Sequence, residues 1–352
     1  AGGPTFFLNG NPIEKATNFP YLGVIFNSQG SWAPNLIHRN NAFSREILAL
    51  RAFGAKIGKK SITHLIKIYK ARCLPTATYG AGLWGGAFNN TLAINENRFL
   101  RNILAVPQST SSLVCHHELG TSPINDFVYS APAVLWLKVW TTKEAFLNRK
   151  ILLDCLSLDA GFKIPWLACV SKIFNDIGRP DLFTAPENLA DISKKSLRSW
   201  CSDFLENSRA IRSKNMPTVN AYLSVYTHVG LQPYLGFIES PYQRFLLTRF
   251  RLGIVFRLVT FPTLNNWVSN LPPCRCDNVS RQGMVHLMFL CSFYNRPRSK
   301  ILKPLLHLLN MRSCTRTLSQ LQLLATALEC FTVYSYLSQV LKIRKSLPSD
   351  FS

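Results

Sequence analysis

Residues 61–75 read SITHLIKIYKARCLP, and this stretch decides the fold class. Ile62, Leu65, Ile66, Tyr69 and Cys73 recur at the three- and four-residue spacing of one helix face. His64, Lys67, Lys70 and Arg72 fall mostly off that stripe. Ser61 can cap the first turn, and Pro75 should end the helix. Further along, Leu92 to Val106 repeats the design: Leu92, Phe99, Leu100, Ile103 and Leu104 face in, Arg98 and Arg101 face out, and Pro107 stops it. Helical patterning begins at Ala42. Pro123 can open another helix, which Pro132 should kink or divide before a Trp136/Trp140 face. Helical signals return at Ser193–Ile211, at Tyr242–Gly253 and after Pro297, with a break at Pro304.

Upstream, TFFL (5–8), the turn signal Asn9-Gly10-Asn11-Pro12 and the aromatic, β-branched run YLGVIF (21–26) read as a small β element. Gly30, Pro34 and an Asn-rich stretch then loosen the chain. The expected fold is mainly α with a small N-terminal β element. The expected organisation is a β opening over 1–30, a helical region over 31–158, a linker-like region over 159–190 and a C-terminal helical domain over 191–352. Pro165, Gly178-Arg179-Pro180-Asp181 and Pro186 mark the linker-like stretch.

The 352 residues are 47% hydrophobic, enough to bury real cores, so a disordered tail is excluded. Forty Lys and Arg stand against 18 Asp and Glu, a net charge of +22. The excess is segregated. Residues 38–72 hold nine cations and only Glu46, and residues 240–316 hold twelve and only Asp277. Residues 154–206 hold six cations against eight acids. Two basic blocks around a neutral spacer suit a polyanion, nucleic acid first and an anionic membrane surface second; a merely soluble basic protein is the plain alternative. Leu318–Leu341 is long enough to cross a bilayer, and a membrane-associated basic protein anchored through 318–341 is the second functional reading. Its Ser and Gln residues favour a buried helix instead, so no stable membrane association is expected. Most of the ten cysteines are scattered singly, which fits a reducing cytoplasmic or nuclear compartment. A chain that opens at Ala1, with no signal-peptide pattern, reads as a fragment or a processed product.

The strongest local signal is Cys274-Arg275-Cys276, nine residues, His286, four residues, Cys291. Two close thiolates followed by a His/Cys pair can close a tetrahedron around a structural zinc ion, leaving no open position for water. Pro272-Pro273 and Gly283 suit a tight knuckle at 274–291, and Arg275, Arg281, Arg296, Arg298 and Lys300 surround it with positive charge. The alternative is a pair of chance cysteines beside a core helix carrying His286. Gly54-Ala55-Lys56-Ile57-Gly58-Lys59-Lys60-Ser61 imitates a phosphate loop, but the glycine spacing is one short and no strand leads in. It reads as a helix–loop–helix turn broken at Gly54 and Gly58, whose Lys56, Lys59 and Lys60 can touch a phosphate backbone. No Asp precedes Asp126 and no two are adjacent, so nothing in the spacing assembles the acidic cluster that two-metal phosphoryl transfer needs. Cys115-His116-His117-Glu118 reads as a local polar loop, because adjacent histidines point in different directions. Aromatics interleave with cations at Phe250-Arg251 and Phe256-Arg257, a pattern that core packing or base stacking can explain.

Several of these segments, taken in order, resemble the C-terminal part of LINE-type (non-LTR) retrotransposon reverse transcriptases. FPYLGVIF (19–26) is similar to the primer-grip strand at the end of the palm, and IYKARCLPTATYGAGLWG (68–85) to the thumb. NRFLRNILAVP (97–107), HHELGTSP (116–123) and the Trp136/Trp140 helix look like its continuation. RFRLGIVFRLVTFPT (249–263) followed by the Cys-Cys-His-Cys knuckle looks like the C-terminal region. The resemblance implies a segment that holds RNA template, primer and target DNA for an RNA-directed DNA polymerase. The catalytic Ala-Asp-Asp motif would lie upstream of Ala1, so this chain would not be an enzyme by itself. It also implies that Tyr21, Leu22 and Gly23 shape the primer grip. Lys67, Lys70 and Arg72 would face the template–primer duplex, and Cys274, Cys276, His286 and Cys291 would hold zinc.

Overall fold

The computed structural model describes residues 6–13, 15–56, 62–87, 90–143, 145–159, 164–216, 219–220, 222–223, 226, 228, 230–238, 240–252, 274, 276, 286–302, 335–340 and 342. The fold is mainly α with a small β element at the start.

Strands β1 (Phe7–Leu8) and β2 (Asn11–Pro12) pair antiparallel, as do β3 (Asn18–Tyr21) and β4 (Val24–Asn27). The run 21–26, expected as one strand, is broken at Leu22-Gly23. Both residues have positive φ (46° and 80°), the backbone of a two-residue hairpin turn. Leucine rarely adopts that conformation, and three side chains from elsewhere hold the hairpin. Tyr79 Oη donates to the Leu22 carbonyl (2.9 Å), Arg39 Nη2 donates to the Gly23 carbonyl (2.8 Å), and the buried Asn35 Oδ1 accepts from Ile25 N (3.1 Å).

Helix α1 spans Ala33–Lys56, starting well before Ala42. Pro34 loosens nothing, because a first-turn residue has no use for an N–H. Gly54 lies inside this helix rather than breaking it, against the Leu65 side chain. Helix α2 (Ile62–Ile68) runs into a π-helical turn (Tyr69–Cys73) and then α3 (Leu74–Thr78). Pro75 therefore does not end the helical path. It sits in the first turn of α3, and Thr76 Oγ1 donates to the Arg72 carbonyl (2.9 Å).

The chain forms two compact units, each built from three segments rather than from consecutive blocks. One comprises 1–49, 70–93 and 124–205; the other comprises 50–69, 94–123 and 206–352. In the first, Trp136 of the Ile124–Trp140 helix is fully buried. Its indole donates to the Leu182 carbonyl (3.2 Å) and stacks on Phe183 (5.0 Å). Leu167, Val170, Ile173, Phe174, Leu182 and Leu189 complete this core, so the stretch expected as linker-like packs an apolar face into it. Its prolines are not linker punctuation: Pro165 and Pro186 begin helical turns, where their fixed φ is pre-organised.

Pro132 does not divide its helix, which is continuous from Ile124 to Trp140. A proline cannot donate to the carbonyl four residues back, that of Val128. Gly85 packs over that carbonyl: a Cβ there would lie 2.7 Å from Val128 O and 3.1 Å from the Pro132 ring. Gly85→Ala should cost about 1–3 kcal/mol through overpacking. Urea denaturation would check this, and a loss below about 0.5 kcal/mol, the scale of an inert surface change, would refute the close approach.

Candidate metal centre and basic surface

Cys274, Cys276, His286 and Cys291 converge. Their ligand atoms all lie within 4.8 Å of one another, a grouping that can hold a metal ion. The Cys274 and Cys291 sulfurs are 3.7 Å apart, and Cys276 Sγ lies 3.2 Å from His286 Nε2. Chain geometry sets the second pair. A π-helical turn over His286–Leu290 returns Cys291 N to the His286 carbonyl (2.7 Å), so one tight loop presents imidazole and thiol together. Arg298 clamps that loop by donating to the Cys291 carbonyl (2.7 Å) and to Asn295 Oδ1 (2.7 Å).

Cys274, His286 and Cys291 are buried and Cys276 is half-buried. Burial, with Cys274 alongside, pushes the Cys291 thiol up to about 12, and burial raises Cys276 as well. These thiols keep their protons at neutral pH unless a cation compensates, which is the coupling expected of metal ligands. Three sulfurs and an imidazole are the donor set that suits zinc.

The expected basic contacts are distributed unevenly. Lys67, Lys70, Arg296 and Lys300 are exposed. Arg72 is exposed but pairs through Nε with Glu46, and Arg298 is half-buried in its clamp. Tyr21, Leu22 and Gly23 are exposed at the tip of the β3–β4 hairpin. Lys59, Lys60, Arg275, Arg281 and the side chain of Lys56 lie outside the described residues, as do Phe256-Arg257 and most of 318–341. Among the described residues, no helix is long and apolar enough to cross a membrane.

One constellation leaves no signature that the sequence alone reveals. Cys115-His116-His117-Glu118 is not a loop but part of the helix Ser112–Leu119. Glu118 is fully buried, and its Oε1 accepts from Arg251 Nε (2.9 Å) and Tyr222 Oη (2.6 Å). Its Oε2 accepts from Tyr234 Oη (3.0 Å). Arg251, also fully buried, donates through Nη2 to Gln232 Oε1 (3.0 Å) and stacks over Tyr226 (3.8 Å). Burial, then the Glu118 carboxylate, holds Tyr222 and Tyr234 far above the usual phenol range, so both remain donors. Gly120 (φ 57°) permits the close approach of the Gly230–Gln232 strap, because a Cβ there would meet Leu231 N at 2.2 Å. The strap's Gln232 N then reaches the Glu118 carbonyl (3.0 Å).

The two histidines do point in different directions. His117 Nδ1 meets Tyr222 Oη (3.1 Å), whereas His116 Nδ1 meets Thr121 Oγ1 (3.0 Å) and its Nε2 lies 3.6 Å from Glu96 Oε2. Burial drops His116 from 6.5 to about 4. The unfolded chain therefore takes up a proton as pH falls through about 6.5, while the folded chain resists until about 4. Stability present above pH 6.5 should be lost between 6.5 and 4, by roughly 3 kcal/mol. Urea midpoints of the parent chain and His116→Gln across that window would test this. The variant should show a shallower slope, and equal slopes would count against the assignment.

No family model, curated protein or solved structure matches this chain. Fold and site together define a class: a mainly helical, strongly basic protein with three cysteines and one histidine grouped so that they can hold a metal ion.

Proposed function

We propose that this chain is a non-catalytic, nucleic-acid-binding part of a LINE-type retrotransposon RNA-directed DNA polymerase. In this reading it holds RNA template–primer and target DNA, works in cytoplasm and nucleus, and carries one structural zinc ion. The observation that supports it best is the convergence of Cys274, Cys276, His286 and Cys291 next to exposed cations at Arg296 and Lys300. A site closed by three sulfurs and one ring nitrogen has no position left for a reacting water, so the metal would shape the loop and not perform chemistry. The ion would hold the three thiolates and the imidazole as one rigid turn. The net charge of +22 favours a polyanion, because phosphate contacts release condensed counterions.

The test is fluorescence anisotropy with labelled RNA across a salt series, with and without a zinc chelator. Affinity should fall linearly on a log–log plot against salt, and chelation should weaken it further. Binding that is absent or insensitive to salt would overturn the reading.

A further inference from the structure

The metal ligands have a second layer of partners, and part of it comes from a distant stretch of the chain. Residues 335–340 are helical, and their Tyr336, Leu337 and Val340 are buried. The Tyr336 hydroxyl oxygen accepts from the Arg298 side chain and interacts electrostatically with Cys291 and Tyr294. Arg298 in turn donates through Nη2 to the Cys291 carbonyl (2.7 Å) and through Nη1 to Asn295 Oδ1 (2.7 Å). One guanidinium therefore joins three things: the backbone of a ligand residue, the turn that follows it and a buried phenol from far down the chain.

Charge gives a reason for a guanidinium at this point. Three thiolates and a neutral imidazole around a divalent ion leave one negative charge in excess. Cys274, His286 and Cys291 are buried, so water screens that excess poorly, and a buried charge is costly unless it is compensated. Arg296 and Lys300 flank the loop but are exposed, whereas Arg298 is half-buried and reaches the loop itself. Arginine also suits the geometry, because its planar fork can serve several acceptors at once and a lysine ammonium cannot match it. Outer partners of this kind orient metal ligands and set metal affinity.

We propose that Arg298 is the counter-ion and positioning residue of the metal site, and that Tyr336 acts through it. Residues 335–340 then belong to the metal site although they supply no ligand. The inference rests on the metal reading above and extends it to a part of the chain outside the Cys/His spacing.

The experiment uses the full chain, with zinc and cobalt as the probes and a competing chelator at fixed neutral pH. Arg298→Gln should weaken zinc binding by about 10–100-fold, the range for loss of an outer-shell partner. Arg298→Lys keeps the charge without the fork and should fall between Arg298→Gln and the parent. Cobalt-saturated variants should keep the parent's visible bands, since the four ligands are untouched. Tyr336→Phe should weaken zinc binding in the parent and add little to Arg298→Gln, because non-additivity marks residues that act as one unit. An arginine with a merely structural role would lower the melting temperature of metal-free and loaded chains alike and leave zinc affinity unmoved. Zinc affinity of Arg298→Gln within about threefold of the parent, well short of an outer-shell effect, would overturn the proposal. So would a Tyr336→Phe effect of equal size in the parent and in Arg298→Gln. A parent chain that binds neither zinc nor cobalt sinks the metal site itself, whereas a parent that binds both, with Arg298→Gln unimpaired, sinks this proposal alone.

Discussion

Arg251→Met should lower the stability of the folded chain by about 3–5 kcal/mol, the range for breaking a fully buried ion pair. Neither Arg251 nor Glu118 has any solvent exposure. Removing the guanidinium leaves the Glu118 carboxylate, among the described residues, with the hydroxyls of Tyr222 and Tyr234. It also removes the donor to Gln232 and the cation over the Tyr226 ring. Most of the loss is the desolvation of a stranded charge rather than the worth of the contact. Adding Glu118→Gln should therefore recover part of it, since a neutral amide oxygen still accepts from the two tyrosines. Urea denaturation followed by tryptophan fluorescence would measure both variants. A loss under about 1 kcal/mol in Arg251→Met, typical of a surface change, would mean that the pair is not the hub described.

Loss of the metal should have a larger effect, confined to the loop it closes. With zinc bound as proposed, the purified chain should carry a single equivalent, and Cys291→Ser should carry almost none. Structural zinc sites in small modules contribute on the order of 10 kcal/mol of apparent binding energy at neutral pH. Here the expected signature is a chelator-induced drop in melting temperature together with loss of protease resistance around 274–302. Cobalt substitution offers an independent readout, because a tetrahedral thiolate site gives visible absorption bands. Affinity should weaken as pH falls, since protons compete for three thiolates and an imidazole. A chain that binds cobalt without those bands, or melts identically with chelator, would rule out the proposed thiolate–imidazole site.

Much of the secondary structure is legible in the sequence. The stripe Ile62, Leu65, Ile66, Tyr69 produces a helical segment with those residues buried, as periodicity requires. The spacing of Cys274, Cys276, His286 and Cys291 marks the four residues that converge, because metal ligation leaves a local signature. The departures share a cause. Pro34, Pro75, Pro132, Pro165 and Pro186 suggest breaks in a linear reading, yet each lies within or at the start of a helical element. A proline breaks a helix only where its missing N–H and its ring have no accommodation. The Gly85 contact at Pro132 comes from a distant segment that no local window contains.

The sequence by itself determined the helical class, the segregated positive charge and the identity of the Cys/His set, since composition and short-range spacing carry all three. Tertiary structure alone decided that Leu22-Gly23 is a turn, that 165–189 packs an apolar face into a core and that Glu118 meets Arg251. The first depends on hydrogen bonds from Tyr79 and Arg39, and the second on burial against Trp136. The third joins residues 133 positions apart, and a charge pair at that separation leaves no periodic trace in the chain.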